Sequence, residues 1–407
     1  MLQALRTWDF RVFLAGQAMS LFGNQVQQVG LLWLVYQTGH SATLLGTTMF
    51  LMGVPSALIA PWVGVWADRG RPLRLAMATQ ALSGVQALAV WGLVLTGDVH
   101  LLPLLLLVCA QGILIGVDMP LRQILVPRLL TGQRSLGSGV ALNSLVYDGT
   151  RIAGASLGGW IASAWGESST FLVNGLAHLL TAALFLTIRR PPARPQGNGR
   201  PVELLREGWR YAVAFWPVRA ILLMSAVVSF AGSAYMILLP MIVGEVLGGD
   251  ATGLGMLMGA AGMGALLGGL AFGVVVRQAV HPWLIGLGAG MFGTGLAILS
   301  ASSSLALALA AMLVLGFGIM IMMVACSTTL IGLAAADKQG RVLSLFTLSY
   351  AAAAPLGGLC AGWLSSRIGA PLTIAGSAAL SLTAALRFLS VLDHLRPFLE
   401  HDAAADH

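Results

Sequence analysis

The chain has 407 residues, of which 57% are hydrophobic and only 9% are charged, far below the roughly 25% charged residues of a soluble domain. A water-soluble surface cannot be assembled from that stock, and apolar runs near the roughly 20 residues a helix needs to cross hydrocarbon make lipid the solvent for most of the chain. The formal charge of +7, from 22 Lys and Arg against 15 Asp and Glu, falls in short loops beside those runs, so it reports topology and excludes a nucleic-acid partner.

In chain order, apolar runs predict helices at about residues 12–36, 44–66, 74–96, 101–121, 136–163 and 168–188. A second set follows at about 219–243, 253–276, 283–300, 304–330, 342–365 and 371–391. The first run is too long and too rich in glutamine for a cleaved signal peptide, and it is read as the first helix. Between the sixth and seventh helices stands the linker RRPPARPQGNGRP, followed by VELLREGWRYAVAFW, whose apolar spacing fits a helix lying on the inner membrane surface. The expected organisation is therefore a six-helix bundle over 1–188, a cytoplasmic linker with an amphipathic helix over 189–218, and a second bundle with a short tail over 219–407.

Nearly all Lys and Arg fall on one side of that pattern, including Arg69, Arg71, Arg74, Arg122, Arg128 and the cluster from Arg189 to Arg219, while Arg367 alone lies opposite. The charge rule then places both termini in the cytoplasm of a bacterial inner membrane. Cys109, Cys326 and Cys360 all sit in apolar runs without CxxC spacing, so neither a disulfide framework nor a zinc site is expected.

The two sets of helices repeat. One offset of 209 superposes Ser20-x-x-Gly23 on Ser229-x-x-Gly232, Ala42-Thr43-x-Leu45-Gly46 on Ala251-Thr252-x-Leu254-Gly255, and Gly64 on Gly273; Leu157-Gly158-Gly159 answers Leu356-Gly357-Gly358. Duplication of a six-helix unit implies a substrate cavity between the halves and alternating access by rocking. The abundant glycines put small faces on helices that must pack closely.

Charged and amide side chains inside the apolar runs carry the functional expectations. Asp148 and Arg151 lie mid-way along the fifth helix, three residues apart on one face, where an isolated charge is expensive and a pair is expected. Asp148 is the leading proton carrier, with Arg151 tuning it or binding an anionic group of the substrate; His178 in the sixth helix is the second candidate. Gln17, Asn24 and Gln28 fall within about 40° of one another on the first helix and form a polar stripe expected to face the cavity. Asn143 and Tyr147 from the fifth helix, with Arg151, extend that wall. Tyr235, Tyr350 and the methionines Met320, Met322 and Met323 are expected opposite it.

Gly64-Val65-Trp66-Ala67-Asp68-Arg69-Gly70-Arg71, between the second and third helices, resembles the GxLADRxGR signature of the major facilitator superfamily. Asp118-Met119-Pro120-Leu121-Arg122-Gln123, then Ala141-Leu142-Asn143-Ser144, then Arg151, Gly154, Gly158 and Gly159, resemble the branch that contains the enterobactin exporter and related drug exporters. So do Trp8-Asp9-Phe10-Arg11 and Gly340-Arg341-Val342-Leu343-Ser344-Leu345. Ala155 departs from the exporter motif GPxxGG, and Asp148 stands where this branch more often has asparagine. The resemblance implies an all-α major facilitator fold of about twelve membrane helices. It also implies an inner gate in which Asp68 caps a neighbouring helix while Arg69 or Arg71 reaches Asp118, near Arg122.

The expected activity is export of a small amphipathic molecule, drug-like or siderophore-type, by proton antiport from a monomer. A lipid or lysolipid flippase and a non-transporting receptor or scaffold are the alternatives. No GxxxxGK[ST] loop, HExxH or nucleophile–base constellation occurs, so an ATP-driven pump and an enzyme are disfavoured, and no metal or cofactor is expected.

Overall fold

The computed structural model describes residues 4–69, 72–97, 99–130, 133–189, 215–275, 282–334 and 338–392. Among them stand twelve long helices: α1 (Trp8–Gly39), α2 (Ala42–Arg69), α3 (Pro72–Leu95), α4 (Leu101–Leu129), α5 (Gln133–Trp165) and α6 (Glu167–Phe185), then α7 (Trp216–Met241), α8 (Ala251–Val275), α9 (Trp283–Ser300), α10 (Leu305–Leu333), α11 (Gln339–Ile368) and α12 (Ala370–Ser390). The amphipathic segment expected after the linker, and Arg71 of the expected gate, lie outside the described residues, as do the side chains of Asp68 and Arg69. The largest boundary difference is in α4, which runs to Leu129 through Pro120 and Pro127 rather than ending near residue 121. Each proline removes one backbone donor, a local loss that the rest of a long helix absorbs.

Ten of the described helices are long and apolar enough to cross a membrane by length and composition. The two that fall short are α1 and α5, whose amides, hydroxyls and charges lower their mean hydropathy. Of these, α1 packs against both α5 and α6, which shelters its buried Gln17, Ser20 and Gln27 from lipid.

The chain divides into two compact units. Unit 1 comprises Met1–His40, Leu51–Asn198 and Gly249–Gly259; unit 2 comprises Ser41–Phe50, Gly199–Gly248 and Ala260–His407. Within unit 1, α1 packs on α5 and α6, α6 on α3, and α3 on α4. Within unit 2, α7 packs on α11 and α12, α12 on α9, and α9 on α10. The pairings are the same, helix for helix, as duplication of a six-helix unit requires. Equivalent glycines close equivalent hairpins: Gly166 between α5 and α6 has φ 83° and Gly369 between α11 and α12 has φ 85°, a left-handed conformation that suits a residue without Cβ.

The units depart from the sequence halves at one short segment each, and the repeat explains both. The start of α8 joins unit 1, where a Cβ on Gly255 would come within 2.8 Å of Gly159 Cα on α5. The start of α2 joins unit 2, where a Cβ on Gly46 would come within 2.7 Å of the Gly358 carbonyl on α11. These pairs are related by the same offsets that align the halves. Bare glycine faces let the backbones touch, the form of helix packing that remains favourable where lipid supplies no hydrophobic drive.

Candidate functional site

Close packing of α6 between α1 and α3 builds the site. A Cβ on Gly23 of α1 would lie 3.1 Å from Asn174 Cα, and one on Gly84 of α3 would lie 3.1 Å from the Gly175 carbonyl. Because both neighbours approach so closely, polar side chains of ordinary length on α6 reach both helices. His178 and Asn174, one helical turn apart on α6, use that reach.

His178 is 2% exposed. Its Nδ1 lies 2.5 Å from Gln80 Oε1 on α3 and its Nε2 lies 3.0 Å from Asn24 Oδ1 on α1. The Gln80 amide nitrogen donates at 2.8 Å to Asp118 Oδ1 on α4. The other carboxylate oxygen of Asp118 accepts at 2.6 Å from Arg122 Nε, one turn along the same helix. Arg122 Nη2 then donates at 2.9 Å to Ser20 Oγ, which itself donates to the Gly16 carbonyl at 3.1 Å. A continuous polar chain therefore runs Ser20, Arg122, Asp118, Gln80, His178, Asn24 and returns to α1. Asn174 adds a side branch, its Nδ2 donating at 2.7 Å to Gln27 Oε1.

Four helices are tied together by this chain in surroundings where an unpaired polar group costs several kcal/mol. A crevice of about 280 Å³ of empty space adjoins it, lined by Asn24, Ser83, Gln86, Gln111, Asp118, Asn174 and His178. Its open part has room for about one water molecule, far short of the roughly 300–1,000 Å³ that drug-sized ligands occupy. Protons and water fit here; an organic substrate does not.

Several expected site residues stand elsewhere. Asp148 and Arg151 are half-buried on α5, and among the described residues the ion pair is Arg122–Asp118, not Asp148–Arg151. Each of the α5 charges keeps enough exposure to be solvated without closing on the other, although Arg151 acts electrostatically on Asp148. On α1 the face that joins the polar chain is Ser20, Asn24 and Gln27, so Asn24 is the member of the expected stripe that the chain engages. Gln17 is buried with Oε1 unpartnered among the described residues, and Gln28 is half-buried. Asn143 is half-buried with Oδ1 unpartnered, and Tyr147 is exposed. In unit 2, Tyr235 meets Phe292 edge to face at 6.2 Å, the Tyr350 carbonyl accepts from Ser229 at 2.6 Å, and Met322 is fully buried in the core.

Asp118 and Arg122, expected in a gate, are here members of the internal chain, with both carboxylate oxygens engaged. Gln80, Gln86, Gln111, Gln27 and Asn174 were not singled out from sequence. Amides inside otherwise apolar runs were the available signal, with Asn174 and His178 spaced i, i+4.

A second polar cluster caps α8. Asp250 Oδ1 accepts from the Gly253 amide at 3.1 Å, and Oδ2 accepts from Ser163 Oγ of α5 at 3.0 Å and from Thr252 Oγ1 at 3.3 Å. Partial burial pushes its proton affinity up, but the hydrogen bonds from Gly253, Ser163 and Thr252 outweigh it and hold the carboxyl below its ordinary value.

Fold and buried chain together define the class: an all-α, multi-pass membrane protein of the major facilitator transporter fold. The chain belongs to the family of transmembrane secretion effectors, which it matches over residues 1–406. It is 26% identical to the staphyloferrin A transporter of Staphylococcus aureus (strain NCTC 8325 / PS 47) over 295 residues, covering 70% of this chain and 72% of that protein. Among solved structures, a peptide transporter of the POT family in complex with sulfate superposes with TM-score 0.76 at 12% identity, covering 96% of each chain. A bacterial homologue of the human lysosomal transporter Spinster, inward-facing and unoccupied, superposes with TM-score 0.68 at 17% identity, covering 97% of this chain and 96% of that one. These relatives are transporters and not enzymes.

Proposed function

We propose that the protein exports a small amphipathic molecule across the bacterial inner membrane in exchange for protons, with both termini in the cytoplasm. The observation that carries this reading is the buried chain Arg122–Asp118–Gln80–His178–Asn24 inside one unit of a transporter fold. Ionisable groups at membrane depth are costly, and proton relays are among the functions that retain them. Membership of the secretion-effector family supports the outward direction, and the staphyloferrin A transporter supports a siderophore-type metabolite over a broad range of drugs.

In this reading Arg151, half-buried on α5, binds an anionic group of the substrate beside Asp148, and Asn143 and Tyr147 flank it. Gln17 and Gln28 of unit 1 and, separately, Tyr235 and Tyr350 of unit 2 are the remaining substrate contacts in this reading. Asp68, Arg69 and Arg71 are assigned to an inner gate, while Asp118 and Arg122 serve the buried chain. The test compares the metabolites retained by a deletion strain with those of wild type. Intracellular accumulation of one iron-chelating acid supports the reading; unchanged metabolite levels with altered sensitivity to many unrelated toxic compounds would replace it with multidrug export. A wild-type protein in proteoliposomes whose transport ignores an imposed pH gradient would remove the proton from it.

A further inference from the structure

The hydrogen-bond polarity of the buried chain is fixed from one end. Both carboxylate oxygens of Asp118 accept, Oδ2 from Arg122 at 2.6 Å and Oδ1 from the Gln80 amide nitrogen, so Gln80 points its NH₂ toward Asp118 and its oxygen toward His178. The nitrogen that meets that oxygen, Nδ1, must therefore carry a proton in every state of the ring. Exchange is left to Nε2, whose partner is the Asn24 amide on α1. As it stands, Asn24 presents Oδ1, so both ring nitrogens face oxygens, the arrangement that an imidazolium satisfies by donating twice. A neutral ring has a lone pair at Nε2 and needs the NH₂ end of Asn24 instead. A half-turn of the amide, nearly unchanged in shape, supplies it.

We propose that the exchanged proton is carried on Nε2 of His178, and that the Asn24 amide turns over with each protonation and so passes the event to α1. This rests on the proton-coupled reading above and assigns its site. Of the described charges, those that act on the ring are Asp118 and Arg122, both from α4. Toward it α1 and α3 present neutral groups, Asn24, Gln80 and Ser83, while Asp148 and Arg151 of α5 act on one another. Asp118 and Gln80 are thus positioning residues that fix the tautomer, and the crevice beside the ring has room for about one water to bring the proton. Asn24 also begins the face of α1 that continues to Gln27 and, through it, to Asn174, so its reorientation is felt along the contact between α1 and α6.

The direct test uses nitrogen NMR on the purified full chain in lipid nanodiscs, with His40, His100, His281, His394, His401 and His407 replaced by Gln and the remaining histidine labelled. The expected spectrum shows Nδ1 protonated throughout, with Nε2 alone changing between about pH 3 and pH 9; Gln80→Leu should release the tautomer to a mixture. An Nε2–H tautomer at neutral pH, or a ring that never titrates in that window, overturns the proposal. Transport separates this failure from failure of the parent reading. In proteoliposomes carrying the metabolite retained by the deletion strain, His178→Gln and Asn24→Leu should lose gradient-driven accumulation while keeping exchange of substrate for substrate. Gradient drive that survives in His178→Gln overturns the site alone; a wild type that ignores the gradient overturns proton coupling and the site together.

Discussion

Unit 1 and unit 2 repeat one arrangement of six helices but hold different interiors. In unit 1 the buried polar side chains include Gln17, Gln27, Gln80, Gln86, Gln111, Arg122, Asn174 and His178; in unit 2 the described ones are all hydroxyls, such as Ser225, Ser229, Ser233, Thr329 and Ser381. A serine or threonine hydroxyl can bond a carbonyl one turn back on its own helix, as Ser225 does to Leu222 and Thr373 to Gly369, and so asks nothing of neighbouring helices. An amide, an imidazole or a guanidinium has more donors and acceptors than its own helix can satisfy, so it requires partners across the bundle. The scaffold therefore occurs twice, whereas among the described residues the amides, imidazole and guanidinium that chain across helices occur in unit 1. Ser225, Ser233 and Thr373 of unit 2 keep their bonds to a carbonyl one turn back wherever their helices move, whereas α1, α3, α4 and α6 of unit 1 cannot move apart without breaking a chain.

The largest expected effect that would break this comparison is at the ion pair. Asp118→Ala leaves Arg122 buried and unpaired and should destabilise the protein by about 3–5 kcal/mol, while Asp118→Ala combined with Arg122→Met should recover most of that loss. Thermal unfolding of the purified protein in detergent checks both, and equal stability of the single and double variants would show that the pair is not buried chemistry. Gln80→Leu comes next. It strands His178 Nδ1 and Asp118 Oδ1 together, a loss of about 1–3 kcal/mol read in the same assay. In unit 2, Ser229→Ala removes one bond to the Tyr350 carbonyl and should cost about 1 kcal/mol, and Ser225→Ala, bonded within its own helix, should cost less still.

The smallest effect is pH-dependent and belongs to the segment that the second sequence half lends to unit 1. The Asp250 carboxyl is held below its ordinary value of 3.8, so its contribution is present above about that pH and is lost as pH falls through the lower folded value. Wild type should lose stability on acidification below about pH 4, and Asp250→Asn should blunt that loss because it already lacks the same small contribution at neutral pH. Screening of this exposed group keeps the effect small.

Much of the fold is legible in the sequence because each helix must satisfy its own backbone in lipid, which writes every span as an apolar run. The repeat is legible too, since Gly46 and its counterpart Gly255, and Gly159, occupy positions where a side chain would collide with backbone. The end of α4 is not, because Pro120 and Pro127 read locally as stops while the helix continues past them. Of the site, the i, i+4 spacing of Asp118 and Arg122 is visible, but their partners are set by tertiary packing: Gln80 meets His178 across 98 residues and Arg122 meets Ser20 across 102. No local pattern encodes such distances. Asp148 and Arg151 show the converse, a spacing that permits a pair which the structure does not form.

Transport under an imposed pH gradient in proteoliposomes shows whether proton chemistry belongs to unit 1. The comparison is between a variant in each unit, His178→Gln and Ser229→Ala, with the metabolite retained by a deletion strain as substrate. Ser229→Ala should accumulate substrate against its gradient as wild type does, whereas His178→Gln should reach only the level set by equilibration. Full accumulation by His178→Gln, or an equal loss in Ser229→Ala, would contradict that assignment to unit 1.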